Sequence, residues 1–357
     1  MTNFDIVSFL EQSVQIPSHD DVDEMRTFLV DTLTSHGFEP SVDSAGNTIT
    51  TRGTGSPHIV LNTHIDTVPP YLPFHSDSDM VYGRGACDAK GPLAAFVYAF
   101  IHSNPSGKLT LAITPDEELT SRGANALHFD DVPDAFIVGE PTNLDICNAS
   151  KGRFEAKILI IGENAHAAES HLTNNVIDVC VSILAALKTF DKEQPVNTET
   201  SLGSPLLTPT IIKSGDFSNQ IPSKCEITVD RRSVPPESAD DFKLSLESHL
   251  KNYIPNWATI SISLSERETP FLGPFFTPED TNLVKCFQQI SGTKTRPFTA
   301  ASEASYFSLI APTVIFGPGV LTDSTGAVAH SSREYVPISE VKKAAHILTD
   351  VISKLGL

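Results

Sequence analysis

Five short segments hold the side chains that could do chemistry. They read His64-Ile65-Asp66, Gly83-Arg84-Gly85-Ala86-Cys87-Asp88-Ala89-Lys90-Gly91, Asp116-Glu117-Glu118, Gly139-Glu140-Pro141-Thr142 and a late His330. Together they offer two His, one Asp and two Glu as ligands, and leave a further Glu for proton transfer. Imidazole nitrogen and carboxylate oxygen are donors that zinc takes, and one carboxylate shared between two ions completes a two-zinc site. Such a site lowers the pKa of water from about 15.7 towards neutrality and polarises a carbonyl oxygen. That chemistry hydrolyses amides.

Taken singly, these residues are ordinary. The chain has 12 His and 44 Asp plus Glu, so most of them must be surface or capping groups. The order carries the reading. Val60-Leu61-Asn62-Thr63 runs into His64, Leu109 to Thr114 into the Asp-Glu-Glu triplet, and Ala135 to Val138 into Glu140. Three apolar runs that end in acids or imidazole fit an α/β sheet with a site at its carboxyl edge. Other enzyme classes lack their signatures. There is no Gly-x-Ser-x-Gly elbow. Gly83-Arg84-Gly85 has Asp88 where a dinucleotide fingerprint needs its third Gly.

The elements that must position these residues follow from periodicity. Phe4, Val7, Phe9 and Leu10 put a helix in Met1–Gln15. Leu93 to Ile101 reads as a buried helix behind the Asp88 loop, and Glu340 to Leu355 as the closing helix. The middle of the chain has another rhythm. Strand Ala156–Ile161, helix Asn175–Phe190, strand Thr208–Lys213, a strand with Cys225, Ile227 and Val229 alternating, helix Glu237–Leu250 and a strand with Ile260, Ile262 and Leu264 alternating give β-α-β-β-α-β. That is the ferredoxin-like order. The expected architecture is a discontinuous α/β domain, 1–154 plus 267–357, with a second domain inserted at 155–266. A chain of 357 residues suits two domains.

Composition narrows the partners. A net charge of −19 argues against nucleic acid and against an anionic membrane surface. The longest apolar run is half a membrane span. Asp5 and Glu11 interrupt Met1–Gln15, unlike a signal peptide. Five scattered Cys form no Cys-x-x-Cys pair and read as reduced thiols in a cytoplasmic protein. Cys87 reads as small packing beside Asp88.

In their order, His-x-Asp-Thr-Val, Gly-Arg-Gly-x-x-Asp-x-Lys-Gly, Asp-Glu-Glu, Gly-Glu-Pro-Thr and Ala-His-x-x-x-Glu-Tyr-Val make the chain resemble the M20 metallopeptidase and amidohydrolase family, over essentially its whole length. The resemblance implies a di-zinc aminopeptidase-like catalytic domain, a mixed sheet sandwiched by helices, with an inserted lid and dimerisation domain. It implies two Zn²⁺ per subunit, with Co²⁺ as a substitute. Asp88 resembles the bridging carboxylate, with His64 and Glu140 completing one metal and Glu118 and His330 the other. Glu117 resembles the general base, and Asp66 the group that orients His64. His166 resembles the family His that acts in a partner subunit's site, which implies a homodimer.

Substrate contacts are implied at Asn219 and Ser302, and at Arg153, Arg231 and Arg232, whose guanidinium groups suit carboxylate. Ala300-Ala301-Ser302-Glu303 departs from the Gly-Thr-Ser-Asp of many relatives, so the usual hydroxyl contact to a substrate carboxylate is missing. The activity implied is removal of a small acyl group from an N-acyl amino acid, as in succinyl-diaminopimelate desuccinylase or acetylornithine deacetylase of lysine and arginine biosynthesis. Asp-Ala-Lys-Gly-Pro-Leu also resembles hydrolases that release lysine or ornithine from an amino-group carrier protein. Dipeptidases or carboxypeptidases, and a metal-binding relative without activity, are the other readings.

Overall fold

The computed structural model describes residues 4–170, 174–198 and 200–355. The chain divides into two compact units. One comprises Met1–Ala149, Phe276–Phe298 and Ser302–Leu357, and the other Ser150–Phe275 with Thr299–Ala301.

The first unit is built on a mixed sheet. Six of its nine strands run in the order Thr48–Arg52, Lys108–Thr114, His58–His64, Ala135–Val138, Thr313–Ile315 and Ile146–Ser150. The four from Lys108–Thr114 to Thr313–Ile315 are parallel, and both outer neighbours are antiparallel. His58–His64 is buried at every position. A strand covered on both faces has no polar side, so it reads as a continuous apolar run. Parallel pairing puts the carboxyl ends of four strands along one edge, where the acids and His64 begin.

Helices cover this sheet. Ile6–Gln15 starts where Asp5 accepts the N–H groups of Val7 and Ser8. Gly91–His102 takes Pro92 in its first turn, where a missing N–H costs nothing. It is apolar on all sides because it packs into the main core with the closing helix, Ile338–Leu355. Phe96, Phe100, Leu348 and Val351 all sit in that core with no exposure. No helix among the described residues is long and apolar enough to cross a membrane.

The second unit is a four-stranded antiparallel sheet in the order Leu206–Ser214, Lys224–Ser233, Gly152–Ile161, Thr259–Leu264. Two helices, Val176–Lys192 and Ala239–Leu250, share its core with the strands. The β-α-β-β-α-β order is the ferredoxin-like one. Ala239–Leu250 starts two residues later than Glu237, because Ser238 and Asp241 form a capping box there. The unit extends on both sides of 155–266. Gly152, Arg153 and Phe154 continue the ladder with Ser233, Arg232 and Arg231.

Candidate active site and metal centre

His64 ends its strand with its ring 1% exposed. Nδ1 lies 3.0 Å from the Asp66 carbonyl oxygen and 3.2 Å from Asp66 Oδ1. Two acceptors at Nδ1 fix the proton there and leave the Nε2 lone pair free for an ion. Asp66 has a second task. Its two carboxylate oxygens accept the N–H groups of Glu117 and Glu118, each at 3.0 Å. One carboxylate thus orients a ligand and the turn that carries the Glu pair. Asp116 closes the same turn by accepting the N–H groups of Arg122 and Gly123.

Glu140 follows Ala135–Val138 and is buried. Gly139 before it lies against the neighbouring strand, donating to the Asn62 carbonyl at 2.7 Å. A Cβ at Gly139 would sit 2.9 Å from Thr63 and 3.0 Å from Phe96, so only glycine allows this approach. Asp88 sits in the irregular turn Ala86–Lys90. Cys87 beside it donates to the Val320 carbonyl at 3.1 Å, and burial pushes its thiol well up. His330 has φ of 61°, a left-handed conformation that non-glycine residues rarely take.

These residues converge in two groups that share Asp88: His64, Asp88 and Glu140, and Asp88, Glu118 and His330. His64 Nε2 lies 3.3 Å from Asp88 Oδ1, and His330 Nε2 lies 3.3 Å from Asp88 Oδ2. Two donors about 2.0–2.1 Å from a tetrahedral ion stand about 3.3 Å apart. Each oxygen of Asp88 therefore faces a different imidazole at ligand spacing. His330 Nε2 is closer to Glu118 Oε1, at 2.7 Å.

The charges fit divalent cations as well. Burial pushes Glu117 and Glu140 well above the usual carboxylate range, and neighbouring carboxylates add to it. Burial also raises Glu118. The carboxylates of Asp88 and Glu118 raise His330 to about 10. Burial opposes charge on His64, yet Asp66 and Asp88 raise it well above an ordinary imidazole. Burial also works against the Asp88 charge, but His330 and His64 hold it below the ordinary range. Protons must therefore balance an excess of acid, the task a pair of cations performs in a metal site.

The expected substrate residues fare differently. Arg231 corrects the sequence reading. It is fully buried, pairs bidentately with Glu237 and lies over the rings of Phe190 and Phe242. It belongs to the core of the second unit and has no surface to offer a substrate. Ser302 lies in the first unit, where its hydroxyl accepts the Ala304 N–H at 3.4 Å. It has no exposure, and its carbonyl accepts the Ser305 N–H. Arg153 and Arg232 are cross-strand partners and both hold Asp230, at 2.9 and 2.7 Å. His166 and Asn219 line one open pocket of about 500 Å³ with Phe217 and Gln220. His166 Nδ1 accepts the Ala168 N–H, so Nε2 carries the proton of the neutral ring.

Sequence reasoning gave Glu303 no role. It is buried, Thr114 Oγ1 donates to its Oε2 at 2.7 Å, and its Oε1 has no hydrogen-bond partner. Burial raises its pKa to about 8. Its four-residue segment was distinctive only as a departure from a pattern.

The fold and the paired donor groups define a metal-dependent amidohydrolase. Residues 60–354 match the sequence profile of peptidase family M20/M25/M40, and the chain belongs to that family. It is 31% identical over 357 residues to a Pyrobaculum aerophilum protein that bears the name LysW-lysine/LysW-ornithine hydrolase, covering 99% of this chain and 98% of that one. It is 29% identical over 320 residues to the acetylornithine deacetylase of Pectobacterium carotovorum, covering 84% and 81%. The solved aminopeptidase PepT from Bacillus cereus has the same fold, with a TM-score of 0.80 at 18% identity over 99% and 98% of the two chains.

Proposed function

We propose that the protein is a two-zinc hydrolase that cleaves the amide of a small N-acyl amino acid. The substrate is an N-succinyl- or N-acetyl-diamino acid of lysine or arginine biosynthesis. The observation that carries this reading is the pair of three-donor groups sharing Asp88, with Glu117 on the turn that supplies Glu118. His64, Asp88 and Glu140 would hold one ion, and Asp88, Glu118 and His330 the other. Zn²⁺ bound there, or Co²⁺ in its place, would lower the pKa of water towards about 7 and polarise a carbonyl.

The protein's own groups do the rest. Glu117 takes a proton from the attacking water and returns it to the leaving nitrogen. Burial and the neighbouring carboxylates raise its proton affinity above that of an ordinary Glu, which suits a group that accepts a proton. Asp66 keeps the His64 proton on Nδ1 and anchors the Glu117 backbone. His166 donates its Nε2 proton to the developing oxyanion in a partner subunit's site. Arg153 and Arg232 are the proposed contacts to a substrate carboxylate, and Asn219, beyond the other end of that ladder, acts beside His166.

A homodimer through the second unit accounts for two features of that unit. Strand Leu206–Ser214 ends its sheet, and among the described residues its outer edge is unpaired. Ile211 and Ile212 are exposed on it, and Ile177 and Val181 on the helix Val176–Lys192. An exposed apolar edge is a ready template for a second chain. The cytoplasm is the proposed setting, and the five buried, unpaired cysteines favour it.

A second reading is release of lysine or ornithine from a carrier protein. The relative bearing that name matches along essentially the full length of both chains. One panel separates the readings. N-succinyl-diaminopimelate, N-acetylornithine, other N-acetyl amino acids, dipeptides and a carrier with a C-terminally linked lysine are each offered to the Zn²⁺- and Co²⁺-loaded protein. The highest kcat/KM is expected for an N-acyl diamino acid. A carrier or a free dipeptide that exceeds every N-acyl amino acid refutes it.

A further inference from the structure

Two residues of the ligand-bearing motifs take no part in the chemistry above. Arg84 precedes Asp88 by four positions, and Glu334 follows His330 by four. They meet inside the first unit. Arg84 Nη1 donates to Glu334 Oε2 at 2.6 Å. Glu334 Oε1 accepts the N–H groups of Cys87 and Asp88, both at 3.1 Å. Arg84 Nη1 also donates to the carbonyl of Ser331, the residue after His330, at 3.2 Å. Arg84 and Glu334 are 3% and 2% exposed. Strands Tyr335–Pro337 and Met80–Tyr82 pair antiparallel beside them.

Stability alone does not account for this pair. Burying two charges costs about what their attraction returns, and an apolar pair of similar size often holds a fold as well. Direction is what an apolar pair cannot supply. One oxygen of Glu334 fixes two successive N–H groups, and with them the peptide from which the Asp88 side chain departs. The guanidinium then ties that turn to the loop of His330. Asp88 and His330 belong to the same donor group, with Nε2 and Oδ2 3.3 Å apart. His64 has separate support, from Asp66 and from its strand.

We propose that the Arg84–Glu334 pair positions Asp88 against His330 and so sets the affinity for the ion at the Asp88–Glu118–His330 group. Neither residue touches reacting atoms, and both act through the ligands. The inference rests on the metal reading given above. Partners behind metal ligands typically contribute 10–100-fold in affinity, and the loss here falls on one ion more than on the other.

The test uses full-length, chelator-stripped protein titrated with Zn²⁺ by calorimetry and with Co²⁺ by visible absorption. Wild type should take up two ions in separable steps. His330→Ala removes one step and so identifies it. Glu334→Gln should weaken that same step by about 10–100-fold, change its Co²⁺ band and leave the other step near wild type. Arg84→Lys keeps the charge but loses the fork, and should weaken the same step. It also serves if Glu334→Gln does not fold. Melting of the stripped variants reports folding independently of metal. Folded variants that bind both ions with wild-type affinity overturn the proposal, as does an equal loss at both steps. A wild type that binds fewer than two ions overturns the metal reading itself, and this inference with it.

Discussion

Replacing Glu303 by Gln should make the metal-free protein progressively more stable than wild type as pH rises from about 4.5 to about 8. Glu303 is buried, with one oxygen on the Thr114 hydroxyl and the other without a partner. Burial raises its pKa from 4.5 to about 8, and the charges of Asp66 and Asp116 push the same way. The folded state therefore holds a proton that the unfolded chain gives up. Below pH 4.5 the carboxyl is neutral in both states and costs nothing. Above it the unfolded state ionises and gains free energy that the folded state lacks, until the folded group ionises near pH 8. A displacement of about 3.5 pH units amounts to roughly 5 kcal/mol, accumulating at up to about 1.4 kcal/mol per pH unit. Gln has nearly the same shape and does not titrate. The difference between variant and wild type isolates Glu303 from the other carboxylates. Urea unfolding of chelator-treated protein from pH 5 to 8.5 measures it. A difference that stays constant with pH refutes the reasoning, because Glu303 would then ionise like a solvated Glu.

Glu117→Ala should keep both ions and lose about 10²–10⁴-fold in kcat. Glu118→Ala should lose one ion by elemental analysis, and an exchange of these two results would reverse the roles of the neighbours. Asp88→Ala should lower occupancy at both positions, and unchanged metal content would remove it as the shared ligand. Arg231→Met should destabilise the second unit by about 2–3 kcal/mol, less than a fully buried pair because Glu237 keeps some solvent. It should leave KM unchanged, so a raised KM with unaltered melting would return Arg231 to the substrate. Ile211→Glu with Ile212→Glu should give monomers by light scattering and lose the activity that His166 supports. A fully active monomer refutes assembly through that edge.

The strands beneath the site could be read because each is an apolar run with an abrupt acidic or imidazole end. Such a run is a local property. It held for His58–His64 and Lys108–Thr114, and for Ala135–Val138 ahead of Glu140. The parity of the strand Lys224–Ser233 held too. Cys225, Ile227 and Val229 face inward, and Arg231 lies on that same face. The alternation places it inward, whereas a guanidinium by its type is usually solvated. Arg232, one residue on, lies on the opposite face with Arg153 beside it.

Residue type and order thus determined the fold class and the inventory of donors, because backbone periodicity and the preference of cations for oxygen and nitrogen act over a few residues. The tertiary structure decided which oxygen of Asp88 meets which imidazole, and that Asp66 holds the backbone of both Glu117 and Glu118. It also decided that Glu334 holds the Asp88 turn and that Glu303 lies buried on Thr114. Glu334 and Glu303 reach partners about 250 and 190 positions away. Only chain packing brings such groups together, and burial, which no local pattern specifies for a single acid, sets their charge.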